Sequence, residues 1–187
     1  QEQLSRQYGD LTQHIRDLIT RVGDTSNLIL DPDLDSYYLM DVVLVALPQA
    51  QQRVGEILLF DESLTSQTQL TNEEKVKLEV YGSLLRQTDL DQVMQGVLTS
   101  LQEDKNFYGV SPSLQKNMPP VFSLYQSAVT KFSDRLIQLA RTNKGDIYNQ
   151  DSFALGEEVL RNGSELWTIG SKELDTLLEK RIQYHQN

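Results

Sequence analysis

Residues 3–22 read QLSRQYGDLTQHIRDLITRV, and they indicate the fold class most directly. Apolar side chains recur there at alternating spacings of four and three residues, namely Leu4, Tyr8, Leu11, Ile15, Leu18 and Val22. This periodicity is typical of a helix that packs in a bundle or a coiled coil. Gly23 follows directly, and we expect it to end the helix in the left-handed conformation.

Periodicity and capping signals predict two long helices downstream. The second helix should cover about 32–60 and begin at Asp31 and Pro32, an N-cap followed by a first-turn proline. We expect Pro48 to kink this helix rather than end it, because the apolar pattern resumes beyond it. A capping box at Thr71 and Glu74 should open a third helix that runs to about residue 104. Its predicted inward stripe is Val76, Val80, Leu90, Met94, Val97 and Leu101, with Ser83 and Gln87 as a polar interruption.

The C-terminal part of the sequence predicts a loop and two more helices. Residues 106–120 contain prolines, glycine and serines and should connect the third helix to a fourth over about 120–142. A break at 143–146 precedes a last helix over about 151–185. The side chains expected to point inward there are Leu160, Trp167, Leu174, Leu178 and Ile182.

The whole chain therefore predicts an all-α fold, with residues 1–187 as one elongated antiparallel bundle similar to a four-helix bundle. No segment of useful length has the period of a strand. If both ends lead into one membrane, the chain must cross the domain an even number of times. We therefore expect the first two helices to stack end to end and run in the same direction. The alternative is a break in the last helix at Asn162 and Gly163.

Composition excludes several functions. The chain has 27 acidic and 17 basic residues, and its formal net charge is −10. This balance argues against a nucleic-acid partner and against an anionic membrane surface, since both attract clustered Lys and Arg. The absence of cysteine excludes thiol catalysis and disulfides. The first residue is Gln1, and no apolar run approaches the roughly 18 residues of a membrane span, so we expect an excised or processed piece.

An acidic segment at the start of the second helix has part of a calcium-loop pattern. Asp31, Asp33 and Asp35 have the first three spacings, but Ser36 stands where glycine is required and Val42 where glutamate is required. The favoured interpretation is a helix start whose carboxylates are stabilised by the helix dipole. We expect no metal ion or other cofactor.

Asp41, Tyr37 and Tyr38 are the first candidate ligand-binding residues. Asp41 lies in the apolar stretch 37–47, where a lone charge is costly unless it is paired or solvated. A carboxylate with aromatic walls suits an amine or a cation, and the acidic composition favours the same ligands. The alternatives are a structural ion pair with an Arg of another helix and a solvated edge.

Ser83, Gln87 and Arg135 complete the candidate set. Ser83 and Gln87 would face a ligand from the third helix, although such residues more often fix helix register or bind buried water. Arg135 would clamp a carboxylate or, alternatively, extend its guanidinium to water. His14 and His185 lack metal-ligand partners at helical spacing, and no catalytic motif is present. We therefore expect no catalytic residue and no enzyme activity.

Two segments resemble a known class of receptor domains. The first is NLILDPDLDSYYLMD at 27–41, continuing to Leu47 and Pro48. The second is Leu166 and Trp167 followed by Leu174, Leu177, Leu178, Arg181 and Ile182. Together they resemble the extracytoplasmic helical sensor regions of bacterial methyl-accepting chemotaxis proteins, sensor histidine kinases and diguanylate cyclases. The second segment is similar to the helix that leads such domains back to their second transmembrane span.

The resemblance implies a periplasmic ligand-sensing domain without catalytic activity. Such a domain lies between two spans of an inner-membrane signalling receptor and usually forms a parallel homodimer. A small-molecule ligand would shift the bundle between two packings, and the terminal helices would pass the displacement across the membrane. The alternative is a helical protein–protein interaction module that binds no small molecule.

Overall fold

The computed structural model describes residues 2–26, 30–64, 67, 69–142 and 151–186, and it confirms the all-α prediction. Within those ranges no strand is present. The helices are α1 (Glu2–Thr25), α2 (Leu34–Asp41), α3 (Leu47–Leu64), α4 (Asn72–Leu84), α5 (Asp91–Glu103), α6 (Pro112–Arg141) and α7 (Asp151–Gln186). The predicted break at 143–146 lies outside the described residues.

Two π-helical turns make α2–α3 and α4–α5 continuous helices. The turn Val42–Ala46 joins α2 to α3, and the turn Leu85–Leu90 joins α4 to α5. A short 3-10 turn, Asp104–Asn106, follows α5. As predicted, the second helix continues through Pro48, and the Thr71 capping box opens α4.

The pairs α2–α3 and α4–α5 form an antiparallel bundle with α6 and α7. Contacts at both ends fix the direction of α7: Ser152 lies against Asp61, whereas Arg181 lies against Asp31. The largest fully buried apolar side chains come from each of these four elements, α2–α3, α4–α5, α6 and α7. They include Leu39, Leu47, Ile57, Leu78, Leu85, Tyr125, Phe132 and Leu166.

Helix α1 folds back beside α3, so the expected end-to-end stacking of the first two helices is wrong. The Tyr8 ring lies over Gly55, where an added Cβ would stand 1.8 Å from its hydroxyl oxygen. Arg16 donates to Gln52 at 3.0 Å. The alternative also fails, because α7 continues unbroken through Gly163. Five alternating passes place the start of α1 and the end of α7 at opposite ends of the bundle.

Two predicted helix ends are also wrong. Gly23 is buried inside α1, which continues to Thr25, so this glycine does not end the helix. The left-handed conformation expected at Gly23 is found among the described glycines at Gly109, whose φ is 86°. Helix α6 begins at Pro112 and includes Pro119 and Pro120, which the sequence placed in a loop or at a helix start. Both prolines are exposed, so water can satisfy the carbonyls that lose their helical donors.

The predicted inward stripe fails in α4 because of the second π-turn. Val76 and Val80 are 61% and 49% exposed, whereas Leu78 and Leu85 are buried. A π-turn adds one residue to a helical turn, so a stripe extrapolated backward from α5 falls on the wrong face of α4. Gln87, inside the turn, is exposed for the same reason.

Candidate functional site

One end of the bundle carries a cluster of charged groups that we name the clasp: Asp31, Asp33, Ser36 and Arg181. The Arg181 Nε lies 2.6 Å from Asp33 Oδ2, and its terminal nitrogen pairs with Asp31. The same nitrogen donates to the Ser36 hydroxyl at 2.9 Å, and that hydroxyl donates to Asp31 at 2.8 Å. The clasp therefore ties the last turns of α7 to the start of α2.

The clasp corrects the predicted role of Asp31 as an N-cap. Helix α2 begins at Leu34 with Asp33 in the N-cap position, while Asp31 accepts from the Asp33 backbone N–H and from Arg181. The side chain of Asp31 is 2% exposed. Burial of a carboxylate at this depth requires a cation and hydrogen bonds, and Arg181, 150 residues away in sequence, supplies the cation.

Two further acids lie beside the clasp. Burial raises the pKa of Asp35, the negative charges of Asp104, Asp33 and Asp31 raise it further, and the Ser36 backbone N–H opposes the shift. Asp104 is fully buried and accepts the Ser111 backbone N–H at 2.9 and 3.0 Å, which holds the start of α6. This end of the bundle thus concentrates negative charge around one arginine.

A second feature is a cavity of about 570 Å³ that we name the α1 groove, since it lies between α1, α3 and α7. Its apolar walls come from all three helices and include Ile15, Ile19, Pro48, Leu160 and Trp167. Its polar groups include Thr12, Arg16, Gln51, Gln52, Ser164 and Thr168. The groove is the space left between the three helices beside two contacts that hold α1 to α3, the Tyr8 ring over Gly55 and the Arg16 hydrogen bond to Gln52.

Trp167 forms a fixed wall of the α1 groove rather than part of the core, where the sequence placed it. It is 43% exposed, and its Nε1 donates to the Val43 carbonyl at 3.0 Å. In the first π-turn Leu47 N–H bonds to Val42 O, so the next bond in that register would run from Pro48 to Val43. Pro48 has no N–H, and the indole supplies the missing donor.

The polar side of the groove is organised by Gln52. Its carbonyl oxygen accepts from Arg16 at 3.0 Å, and its amide nitrogen donates to Glu56 at 3.0 Å. Nearby, Arg53 pairs with the buried Asp89 of the second π-turn at 2.5 Å. Arg53 is therefore neutralised by a carboxylate, whereas Arg16 has a neutral amide as its bonded partner among the described residues.

The predicted residues Tyr37, Tyr38 and Asp41 lie together on α2. The two tyrosine rings meet edge to face with centroids 5.4 Å apart. The Asp41 carboxylate accepts from the Gln92 amide of α5 at 3.4 Å, so its bonded partner among the described residues is an amide and not the arginine weighed as an alternative. Their role in ligand binding stays a prediction.

Ser83, Gln87 and Arg135 lie on other helices, and the structure does not join them to the first three. Ser83 is half-buried in α4 and Gln87 is exposed. Arg135 donates to Gln138 on its own helix and lies near the buried Asp61. Burial raises the pKa of Asp61 above its usual value, although the Ser152 hydrogen bond and the Arg135 charge oppose that shift. None of the six predicted residues lines the α1 groove. Their role in binding is likewise untested.

Sequence reasoning missed a glycine repeat that sets the packing of α7. Gly156, Gly163 and Gly170 recur every seven residues and face α2–α3. An added Cβ would stand 2.5 Å from Leu58 at Gly156 and 3.1 Å from Val43 at Gly170. The seven-residue spacing was the available signal, because it places small residues on one stripe of a helix.

The last observations concern metal sites, membrane spans and similarity to known proteins. Among the described residues no group of three His, Asp or Glu side chains is placed to hold a metal ion. Within the same part of the chain, no helix has both the length and the apolar character of a membrane span. No protein-family model matches the chain, and no similar curated protein or solved structure was found.

Proposed function

We propose that this chain is the extracytoplasmic input domain of a bacterial transmembrane signalling receptor of the chemoreceptor or sensor-kinase type. In this role it binds a small molecule in the periplasm and acts as a parallel homodimer. Membrane helices outside the described residues carry the displacement to the cytoplasm. The domain itself is not an enzyme.

The clasp is the observation that supports this proposal most strongly. The two segments that carry the resemblance are 150 residues apart, counted from Asp31 to Arg181, yet they meet in one network of ion pairs and hydrogen bonds. Any shift of the end of α7 must therefore pull on the start of α2 or break these bonds. A sensor needs such a link between its output helix and its ligand-binding bundle.

The direction of α1 sets one requirement in this proposal. The start of α1 and the end of α7 lie at opposite ends of the bundle, so two spans in one membrane require the segment that joins α1 to its span to return along the bundle to the clasp end. Helix α1 itself stays docked in this arrangement. Its apolar seam remains accessible, since Leu11 and Leu18 are 60% and 63% exposed in the docked position.

The same seam suits a parallel dimer. Ile15 and Val22 occupy the a positions of a heptad and Leu11 and Leu18 the d positions, a combination that favours two parallel strands. The acidic residues of α1 avoid the flanking positions, because Asp10, Asp17 and Asp24 all fall at c, on the outer side of the helix. Two copies therefore meet without repulsion between carboxylates despite the net charge of −10.

The experiment that tests the proposal uses a hybrid receptor in which residues 1–187 replace the input domain of a chemoreceptor with measurable kinase output. Because the chain contains no cysteine, a single Leu18→Cys variant carries one thiol in this domain. We expect oxidation to cross-link Leu18→Cys in membranes, while the matched Thr20→Cys variant on the outer face of α1 stays uncross-linked. We also expect Arg181→Ala to change kinase output.

The control for Arg181 is Arg86→Ala, which removes an exposed ion pair with Asp134. Equal cross-linking at both α1 positions would contradict the parallel seam. Unchanged kinase output in Arg181→Ala, in a receptor that still reaches the membrane, would contradict a signalling role of the clasp.

A helical interaction module is the second candidate, and the exposed α1 seam favours it as well. In that case a helix of another protein covers the seam, and no small molecule binds. The two candidates differ in the α1 groove, which a sensor uses and an interaction module leaves empty.

A further inference from the structure

We propose that the α1 groove binds a small organic carboxylate with a flat apolar body, and that Arg16 holds the carboxylate. This site would give the proposed sensor its ligand class, so its consequence for signalling rests on the proposed function. The binding itself depends only on the geometry of the groove.

The size and walls of the groove suit such a ligand. Its volume of about 570 Å³ falls within the range of about 300–1,000 Å³ that is usual for small-molecule sites. Trp167, Pro48 and Leu160 offer rigid apolar surface from two helices of the bundle, and Ile15 closes it from α1. The Trp167 ring is held in place by its bond to Val43, so its face is available for stacking.

Charge selects the head group of the ligand. Among the described residues that line the groove, Arg16 carries the formal charge, and no carboxylate lines it. One guanidinium N–H of Arg16 donates to the Gln52 amide oxygen, and its other N–H groups can donate to a second partner. An anionic planar group matches that fork, because Arg and carboxylate form paired charge-assisted hydrogen bonds.

The nearest acid does not reverse this preference. Glu56 borders the adjoining polar recess, beyond Gln52, and accepts the Gln52 amide hydrogen. Burial and the negative charge of Glu56 raise the pKa of Tyr8, so its phenol is neutral at pH 7 and adds no negative charge to the groove. The local charge thus opposes the net charge of −10, which at the sequence level favoured an amine.

The hydroxyl groups of the groove refine the ligand class. Thr12 donates to the Tyr8 carbonyl and Thr168 donates to the Ser164 carbonyl. Because the proton of each hydroxyl is already used, each hydroxyl can only accept a hydrogen bond from a ligand. They therefore suit an N–H or O–H on the body of the ligand and do not compete with Arg16 for the carboxylate.

Binding here would also act on the position of α1. The ligand contacts α1 on one side and α3 and α7 on the other, so it stabilises the docked position of α1 at the expense of an undocked one. A ligand shifts a two-state equilibrium only through such a difference in affinity between the states.

The test measures binding to the chain 1–187 by calorimetry and thermal shift. The probes are phenylacetate and indole-3-acetate, together with phenylacetamide and phenethylamine as a neutral and a cationic analogue. We expect the carboxylates to bind at least tenfold more tightly than the amide and to raise the melting temperature, with the amine weakest. Arg16→Gln should abolish the preference for carboxylates, whereas Arg21→Gln, an exposed arginine on the same helix, should retain it.

Arg16→Lys keeps the charge but lacks the planar fork, and we expect it to retain part of the affinity. The inference is overturned if neither carboxylate binds, if the amine binds as tightly, or if Arg16→Gln leaves the preference intact in a protein with unchanged circular dichroism. A hybrid receptor that cross-links at Leu18 and signals without carboxylate binding would refute this site alone. Carboxylate binding without any signalling output would refute the proposed function alone.

Discussion

Helices α7 and α1 are both long and amphipathic, yet the bundle holds them in different ways. Helix α7 approaches α2–α3 closely, because Gly156, Gly163 and Gly170 bring its backbone against neighbouring side chains. The clasp then fixes its end. Helix α1 contacts α3 where Tyr8 covers Gly55 and where Arg16 donates to Gln52, and it leaves half or more of Leu11, Leu18 and Val22 in solvent.

The difference shows that shape complementarity decides which helix is held firmly. The heptad seam of α1 is the more regular one in sequence, yet its side chains at Leu11, Leu18 and Val22 remain mostly exposed beside the bundle. The packed face of α7 combines three glycines with large apolar side chains that join the core, and the glycines allow close packing along its length. We therefore expect α7 to belong to the rigid bundle and α1 to be the element that can separate from it.

The largest effect is expected from filling the glycine stripe. Gly170→Leu forces a side chain against Val43 and Leu39 and should destabilise the fold by about 3 kcal/mol through overpacking. Gly9→Leu on α1 is the matched control, because an added Cβ there meets nothing within 4 Å. Chemical denaturation measures both variants. A loss at Gly9 equal to that at Gly170 would remove the contrast between the two helices.

The clasp should give the next largest effect. Arg181→Ala leaves Asp31 and Asp33 without their cation, and we expect a loss of about 2 kcal/mol, below the full value of a buried pair because Arg181 is partly exposed. The exposed pair of Arg86 and Asp134 should contribute less than about 1 kcal/mol. If Arg86→Ala costs as much as Arg181→Ala in denaturant melts, the clasp does not anchor α7.

Trp167→Phe tests whether the indole N–H replaces the backbone donor that Pro48 lacks in the first π-turn. The phenyl ring keeps the apolar wall but cannot donate to the Val43 carbonyl, so we expect a loss of about 1 kcal/mol. Pro48→Ala restores a backbone donor at this turn. In that background Trp167→Phe should cost less, and additive losses in the double-mutant cycle would contradict the proposed exchange of donors.

The smallest expected effect is a gain from Asp35→Asn. Burial raises the folded-state pKa of Asp35, so ionisation becomes costly as the pH rises from the unfolded-state value through the folded one. Asparagine removes that cost and can still accept the Ser36 N–H. Stability at pH 7 should rise slightly, and the gain should vanish near pH 3, where the carboxyl is protonated in the folded and the unfolded state. A gain that persists at pH 3 would indicate another cause.

The sequence predicted the fold class, the capping box at Thr71 and the last helix at 151–185 because these depend on local periodicity and capping chemistry. It misplaced the inward face of α4, since a π-turn shifts the register and leaves no compositional signal. It also gave α1 the wrong direction relative to the second helix, because that direction depends on the contact of Tyr8 with Gly55, which is distant in sequence.

The site was harder to predict than the fold. Arg181 is ordinary in sequence and gains its role from Asp31, which lies 150 residues away. The α1 groove likewise combines residues from three helices that no local pattern connects, among them Arg16, Gln52 and Trp167. The predicted set centred on Asp41 used neighbours in sequence, and the structure gives Asp41 a partner on α5 instead.

Native-state hydrogen exchange on the chain 1–187 tests the central contrast between α1 and α7 most directly. Amides of α1 should exchange through a local opening whose free energy lies several kcal/mol below that of global unfolding, because α1 can leave its groove while the bundle stays folded. Amides at 156–177 in α7 should exchange through global unfolding. If the amides of α1 are protected as strongly as those of α7, α1 is part of the rigid bundle and does not open separately from it.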